Sequence, residues 1–307
     1  MRVVSLFSGA GGLDLGFIQA GHTIVWANDL FHDAVSTYRA NIGNHIVEED
    51  IHNIPSEDIP NCDIVIGGFP CQGFSIANTG RHADDERNTL YLQLLRVIKD
   101  KQPLFFLAEN VKGILSLEHG QVFHNILNDF QNLNYKVQYR LLNAADYGVP
   151  QRRERVFIVG VRNDLDFHFE YPEPNHSKNG SNGLPYWVSV KKAIQHFPNP
   201  DEQNDVPNHT YSKYKMVFNG YIGKRKLNPD MPSPTITARG DDKGGVVVHA
   251  HYNCERRMTG RELAAIQTFP DNYFFLGTNS SVYRQIGNAV PPLLAKQIAK
   301  QFNLYEL

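Results

Sequence analysis

Apolar and polar positions fall into two textures along this chain of 307 residues. In the first half, short β-branched or aliphatic runs recur, and each closes on a glycine, an acid or a polar turn. Short apolar runs bounded by such breakers read as strands buried on both faces. They predict strands over residues 2–6, 23–27, 45–47, 64–66 and 104–108. Between them lie segments of helical periodicity: one opened by the glycines around residue 11, one over 33–41 and one over 90–99. Strand–helix alternation of this kind predicts an α/β fold with a mostly parallel sheet. An amphipathic helix is expected over 119–133, then two β-runs over 136–142 and 154–161 with no helix-length segment between them. Those two runs should therefore pair antiparallel, as a hairpin.

From about Tyr171 to Pro234 the pattern dissolves. Pro, Asn, His, Gly and Ser dominate, yet aromatics (Tyr186, Trp187, Phe197, Tyr211, Tyr214) keep recurring. That combination predicts a second, loop-rich domain rather than a linker. Periodicity returns at Thr259, where Glu262 three residues on completes a capping box. A closing helix carries Leu293, Leu294, Ile298 and Phe302. The expected division is residues 1–172 with 281–307 as one domain and 173–280 inserted as another.

Composition narrows the classes. The net charge is −2 and hydrophobic residues make up 41% of the chain. No apolar run reaches membrane-spanning length, and the first apolar run is too short for a signal peptide. Three cysteines (Cys62, Cys71, Cys254) give no disulfide framework, so a reducing, cytoplasmic setting is expected. The thirteen histidines are scattered, and no metal site is expected. Residues 151–260 hold 16 Lys and Arg against 12 Asp and Glu, while the rest holds 14 against 20. The later segment is thus mildly basic and permits an anionic partner.

Candidate chemistry sits at strand ends. The run Ile64-Val65-Ile66 passes through Gly67-Gly68 into Phe69-Pro70-Cys71-Gln72-Gly73. A cysteine on a proline-fixed turn at a strand end is where an open α/β sheet places reactive groups. A small buried core cysteine is equally open on these residues alone. Glu109 follows the next apolar run in the matching position, against the usual fate of Glu as a solvated surface acid. Phe7-Ser8-Gly9-Ala10-Gly11-Gly12 is a glycine turn opening a helix, which lets a ligand approach backbone amides. Asp14 occupies the third-glycine position of the dinucleotide fingerprint, which speaks against a nicotinamide cofactor. Asp29, at the end of the second strand, is placed to accept from ribose hydroxyls. Arg153 and Arg155 alternate with Glu154 and so share one face of their strand; ordinary surface arginines would look the same. The knot Gly223-Lys224-Arg225-Lys226 and the exposed Arg239, interleaved with aromatics, suit nucleic acid.

These residues together resemble the DNA (cytosine-5)-methyltransferases of bacterial restriction–modification systems, in order and over nearly the whole chain. Phe7, Gly9, Gly11 and Gly12 resemble the S-adenosylmethionine loop, Asp29 its ribose acid, and Asp50-Ile51 the element flanking adenine. Pro70-Cys71 resembles the nucleophile motif, Glu109-Asn110-Val111 the active-site acid motif, and Gln151-Arg152-Arg153-Glu154-Arg155 the arginine motif. Arg261-Glu262-Leu263 with Gln267-Thr268-Phe269-Pro270 resembles the support of a recognition domain, and Gly287-Asn288 the motif that folds back to the cofactor. The resemblance implies a class I, Rossmann-like S-adenosylmethionine-dependent methyltransferase fold plus a smaller recognition domain. It implies S-adenosylmethionine as cofactor, S-adenosylhomocysteine as product and double-stranded DNA as substrate. It implies Cys71 as nucleophile, Glu109 as acid on the cytosine ring, and Arg153 and Arg155 on its carbonyl oxygen and a phosphate. Pro70, Leu90 and Asn288 would join the cofactor contacts; Gln72, Ser75, Arg81, Arg87, Arg225 and Arg239 would touch DNA. The loop 72–88 would close over a flipped base. The resemblance leaves room for a cognate restriction endonuclease encoded nearby without a stable complex, and for a monomer. A tRNA cytosine-5 methyltransferase on the same motifs, or an inactive nucleic-acid-binding homologue, is the alternative.

Overall fold

The computed structural model describes residues 1–69, 89–211, 226–238, 250–253 and 256–306. Five strands, β1 (Arg2–Leu6), β2 (Thr23–Asp29), β3 (Ile46–Glu48), β4 (Ile64–Gly68) and β5 (Phe105–Val111), lie parallel. A hairpin of β6 (Tyr135–Asn143) and β7 (Glu154–Arg162) completes the sheet, and β7 runs antiparallel to both β5 and β6. The order is β3-β2-β1-β4-β5-β7-β6. The expected parallel sheet and hairpin are therefore both present. The strand order reverses at the β1–β4 neighbours, and an open sheet parts there at its carboxyl end to make a crevice.

Helices cover both faces. On one, α1 (Gly12–Gln19) packs against the last helix, α8 (Pro292–Phe302), burying Phe17, Leu294, Ile298 and Phe302. On the other, α3 (Thr89–Lys101) and α4 (Gln121–Gln131) bury Leu94, Val97, Ile98, Ile126 and Phe130 against Val65, Phe106 and Ile158. The helix α2 (His32–Asn41) adds Val35 and Tyr38 to the first of these cores. A third core gathers α5 (Val190–Ile194), α6 (Gly260–Ile266) and α7 (Asn279–Asn288) around Phe269, Tyr273, Phe275 and Ile286. The Thr259–Glu262 capping box opens α6 as the sequence indicates.

Several elements depart from the sequence reading, and three of the departures have a clear physical reason. β5 continues through Glu109 to Val111 because β7 supplies ladder partners that far, Glu109 opposite Phe157 and Val111 opposite Arg155. α4 starts at Gln121 rather than 119, since Glu118 and His119 adopt left-handed φ of 46° and 56° that no helix continues. α7 is an added helix: its apolar stripe is short, Val282, Tyr283 and Ile286, and buried Ser281, Gln285 and Gly287 interrupt it. Among the described residues, no helix is long and apolar enough to cross a membrane.

Candidate active site

The crevice at the sheet's carboxyl end holds a cavity of about 690 Å³. Its floor is the glycine loop after β1. Phe7 and Gly9 both take left-handed φ, 56° and 53°, and a side chain on Gly9 would point into open space. Asp29 at the end of β2 fixes this loop: its carboxylate accepts from Gly9 N at 2.8 Å and from Phe31 N at 2.8 Å. Burial pushes the Asp29 carboxyl above its ordinary range, against those backbone bonds. Beneath the loop Asp14 is fully buried and accepts from Ser5 Oγ at 2.6 Å and Tyr38 OH at 2.8 Å. Ser8 Oγ in turn donates to Ser5 Oγ at 2.9 Å. Burial raises the Asp14 carboxyl to about 6, although both hydroxyl bonds pull it down.

Of the expected cofactor residues, Phe7, Gly9, Gly12, Asp29 and Asn288 line this cavity. Gly11, Asp50, Ile51 and Leu90 are not among its described lining residues. Gly11 instead faces Ile42 and Tyr38. Asp50 caps the short turn Ile51–Asn53, accepting from His52 N. Ile51 is buried in the core shared with Trp26, and Leu90 packs half-buried against that core. The lining fits a nucleoside-bearing cofactor. An acid stands at the β2 end for a ribose diol, the loop backbone is open at Gly9, and the first turn of α1 leaves N–H groups without intrahelical partners.

The same cavity reaches Glu109. In register it sits opposite Gly68 on β4, and a Cβ on Gly68 would come within 3.0 Å of Glu109 Oε2. One carboxylate oxygen therefore lies over the end of the strand that leads to Pro70 and Cys71. The other, Oε1, accepts from Arg155 Nε at 2.9 Å, with both side chains 12% exposed. Burial raises the Glu109 carboxyl, while the charges of Arg155 and Arg153 oppose the rise. Next to it, Asn110 donates Nδ2 to Phe69 O at 2.9 Å, tying β5 to the backbone just before Pro70. The sequence signal for Asn110 was only its adjacency to Glu109.

Arg153 and Arg155 both line the cavity, but they are held differently. Arg153 is 1% exposed and donates Nη1 to Ile236 O and Nη2 to Gly287 O, each at 2.9 Å. Burial lowers its pKa to about 9, and its buried Nε has no hydrogen-bond partner. Beside it, Gln151 and Gln267 form a buried amide pair, Nε2 to Oε1 at 2.8 Å. Gln151 also accepts from Ile236 N, and Gln267 donates to Ile286 O at 2.7 Å. These partners lie 116 residues apart, so no local pattern reveals them. A second cleft of about 500 Å³ shares Val111 and Arg155 with the cavity and is lined by Lys112, Arg152 and Thr235.

Pro70, Cys71, Gln72, Ser75, Arg81, Arg87, Arg225 and Arg239, with the loop 72–88, lie outside the described residues. Cys62 carries a free thiol that burial pushes up to about 12. Among the described residues, no group of three or more His, Cys, Asp or Glu could hold a metal ion.

Residues 1–303 match the family model described as C-5 cytosine-specific DNA methylase. The chain is 42% identical to the type II methyltransferase M.NgoFVII of Neisseria gonorrhoeae, covering 97% of this chain and 85% of that protein. It is 41% identical to the type II methyltransferase M.BspRI of Lysinibacillus sphaericus, covering 97% and 80%. Among solved structures, an E. coli protein described as a DNA modification methyltransferase encoded within a prophage superposes with a TM-score of 0.78 at 28% identity, covering 99% of each chain. The S. pombe Dnmt2 methyltransferase shares the fold, with a TM-score of 0.76 at 20% identity over 99% of this chain and 98% of that one. The chain belongs to the C-5 cytosine-specific DNA methylase family and is a DNA cytosine-5 methyltransferase that uses S-adenosylmethionine.

Proposed function

We propose that the enzyme methylates a flipped-out cytosine within a short specific sequence of double-stranded DNA, through a covalent adduct with Cys71. The observation that carries this reading is the Glu109–Arg155 pair, set over the end of β4 in the cavity that also holds Asp29 and the glycine loop. Carbon 5 of cytosine is a weak nucleophile. A thiolate adding at carbon 6 forms a sulfur–carbon bond and pushes the ring electrons toward carbon 5 and ring nitrogen 3. Cys71 is the nucleophile the sequence offers at that strand end.

Glu109 supplies the proton that ring nitrogen 3 takes up. A carboxyl that must donate at neutral pH needs a raised pKa, and burial raises this one. Because Arg155 holds Oε1, the proton resides on Oε2, on the Gly68 side. The same carboxyl accepts from the exocyclic amine of cytosine, which thymine lacks. Arg155 is also within the cavity to meet the carbonyl oxygen at ring carbon 2. Asp29 would hold the ribose of the cofactor, with Phe7, Gly9 and Asn288 around it. When bound, S-adenosylmethionine supplies an electrophilic sulfonium methyl group. Once carbon 5 carries the methyl group, loss of its proton to a base, water included, expels the thiolate, and ring nitrogen 3 returns its proton to Glu109, which restores the ring.

Flipping costs a few kcal/mol, and we assign the loop 72–88 and the inserted domain, residues 173–280, to DNA engagement. The cleft beside the cavity, with Lys112 and Arg152, supports that reading by placing cations next to the target pocket. A cognate endonuclease, separately encoded, fits the type II relatives. The test is mapping of 5-methylcytosine in DNA exposed to the enzyme. Wild type should methylate one cytosine of a short motif and be trapped covalently on DNA carrying 5-fluorocytosine. Cys71→Ala should do neither while still binding S-adenosylhomocysteine; full turnover by that variant would sink the mechanism.

A further inference from the structure

Three guanidinium groups line the cofactor cavity, and two are already engaged. Arg153 donates to the carbonyls of Ile236 and Gly287, and Arg155 pairs with Glu109. The third, Arg284 on α7, is solvent-exposed and rests its guanidinium 5.2 Å from the centre of the Phe31 ring. Among the described residues no carboxylate or carbonyl holds it. Its placement is not that of a random surface arginine. After the first turn of α7, residues Ser281, Val282, Tyr283, Gln285, Ile286 and Gly287 are all buried. The exposed positions left are Arg284 and Asn288, four apart and so on one helix face. Both line the cavity.

The charge balance of the lining says what Arg284 meets. Asp29 accepts from the loop backbone and Glu109 is held by Arg155, so these groups offer nothing to the one anionic group of the cofactor, its α-carboxylate. Beside the backbone N–H groups of the loop, a carboxylate entering this cavity is held most strongly by a cation that no other protein group has claimed, and a planar guanidinium suits it. We propose that Arg284 is a cofactor-positioning residue that binds the α-carboxylate of S-adenosylmethionine, with the Phe31 ring holding the guanidinium in place. The proposal rests on the cofactor reading of the cavity and extends it to a residue for which no role has been assigned.

The test uses two probes that differ only in the carboxylate: S-adenosylhomocysteine and its decarboxylated counterpart, titrated calorimetrically into the full-length protein without DNA. Arg284→Gln should weaken S-adenosylhomocysteine binding by about tenfold, the scale of one charge-assisted hydrogen bond, and leave the decarboxylated probe unchanged. Arg284→Lys should recover part of the loss, which separates a charge effect from a folding defect. Equal weakening of both probes would overturn the proposal, as would unchanged binding of both accompanied by weaker DNA binding. Failure of wild type to bind either probe would instead sink the cofactor reading itself.

Discussion

Asp14 shows how a residue can be read correctly in one respect and missed in another. Its place in the fingerprint speaks against a dinucleotide, but its burial and its bonds to Ser5 and Tyr38 were invisible, because Tyr38 lies 24 residues on. The same holds for Arg153 and Arg155. Alternation put them on one face, and both line the cavity, but the partners that distinguish them are distant in sequence. Asp14 also carries a testable consequence. Its ordinary value of 3.8 is raised to about 6 in the fold, so between those values the native state holds a proton the unfolded chain has lost. Stability from this group is fully present below about pH 4 and is lost as pH rises through about 6. The full loss is about 3 kcal/mol at roughly 1.4 kcal/mol per unit. Asp29 and Glu109, also raised by burial, act in the same direction, so the variant isolates the contribution. Urea unfolding at pH 4.5 and 7.0 should show a smaller fall in stability for Asp14→Asn than for wild type. An identical fall in both would show that Asp14 does not carry it.

At the scale of elements, the parallel strands were legible because burial on both faces demands near-continuous apolar runs. Their ends were legible because glycine, proline and acids cannot continue such runs. α7 is less legible for the converse reason: its apolar stripe is only Val282, Tyr283 and Ile286, and buried serine, glutamine and glycine interrupt it. What it has instead is a close approach. A Cβ on Gly287 would stand 2.4 Å from the backbone carbon and oxygen of Thr237. No flexible side chain can yield there, so the helix or the 236–238 segment must shift. Gly287→Ala should therefore destabilise by about 1–3 kcal/mol, the usual range for overpacking. It should also lengthen the bond from Arg153 Nη2 to Gly287 O and weaken cofactor binding through the neighbouring Asn288. Calorimetric unfolding and S-adenosylhomocysteine titration check both; an unchanged midpoint would mean the approach is looser than the geometry indicates.

At the scale of the whole molecule, the question is how six separate parts of the chain are held around one cavity. The answer is a buried polar strap running from Ile236 through Gln151 and Gln267 to Ile286 and Ala289. One amide end of Gln151 accepts from Ile236 N and the other donates to Gln267 Oε1, while Gln267 Nε2 donates to Ile286 O in the last turn of α7 and to Ala289 O just beyond it. Each donor atom of this strap has an acceptor and both side chains are fully buried, so cutting it once strands the partner away from bulk solvent. Gln151→Ala and Gln267→Ala should each cost about 1–3 kcal/mol of stability. The double variant should cost clearly less than their sum, since the second cut removes a partner already stranded. Gln267 is not among the described lining residues, yet its carbonyl partners flank Gly287 and Asn288, which are. Gln267→Ala should accordingly weaken S-adenosylhomocysteine binding, although it would touch no cofactor atom. Additive losses in the thermodynamic cycle, or cofactor affinity unchanged in Gln267→Ala, would show that the strap supports the fold without setting the cavity.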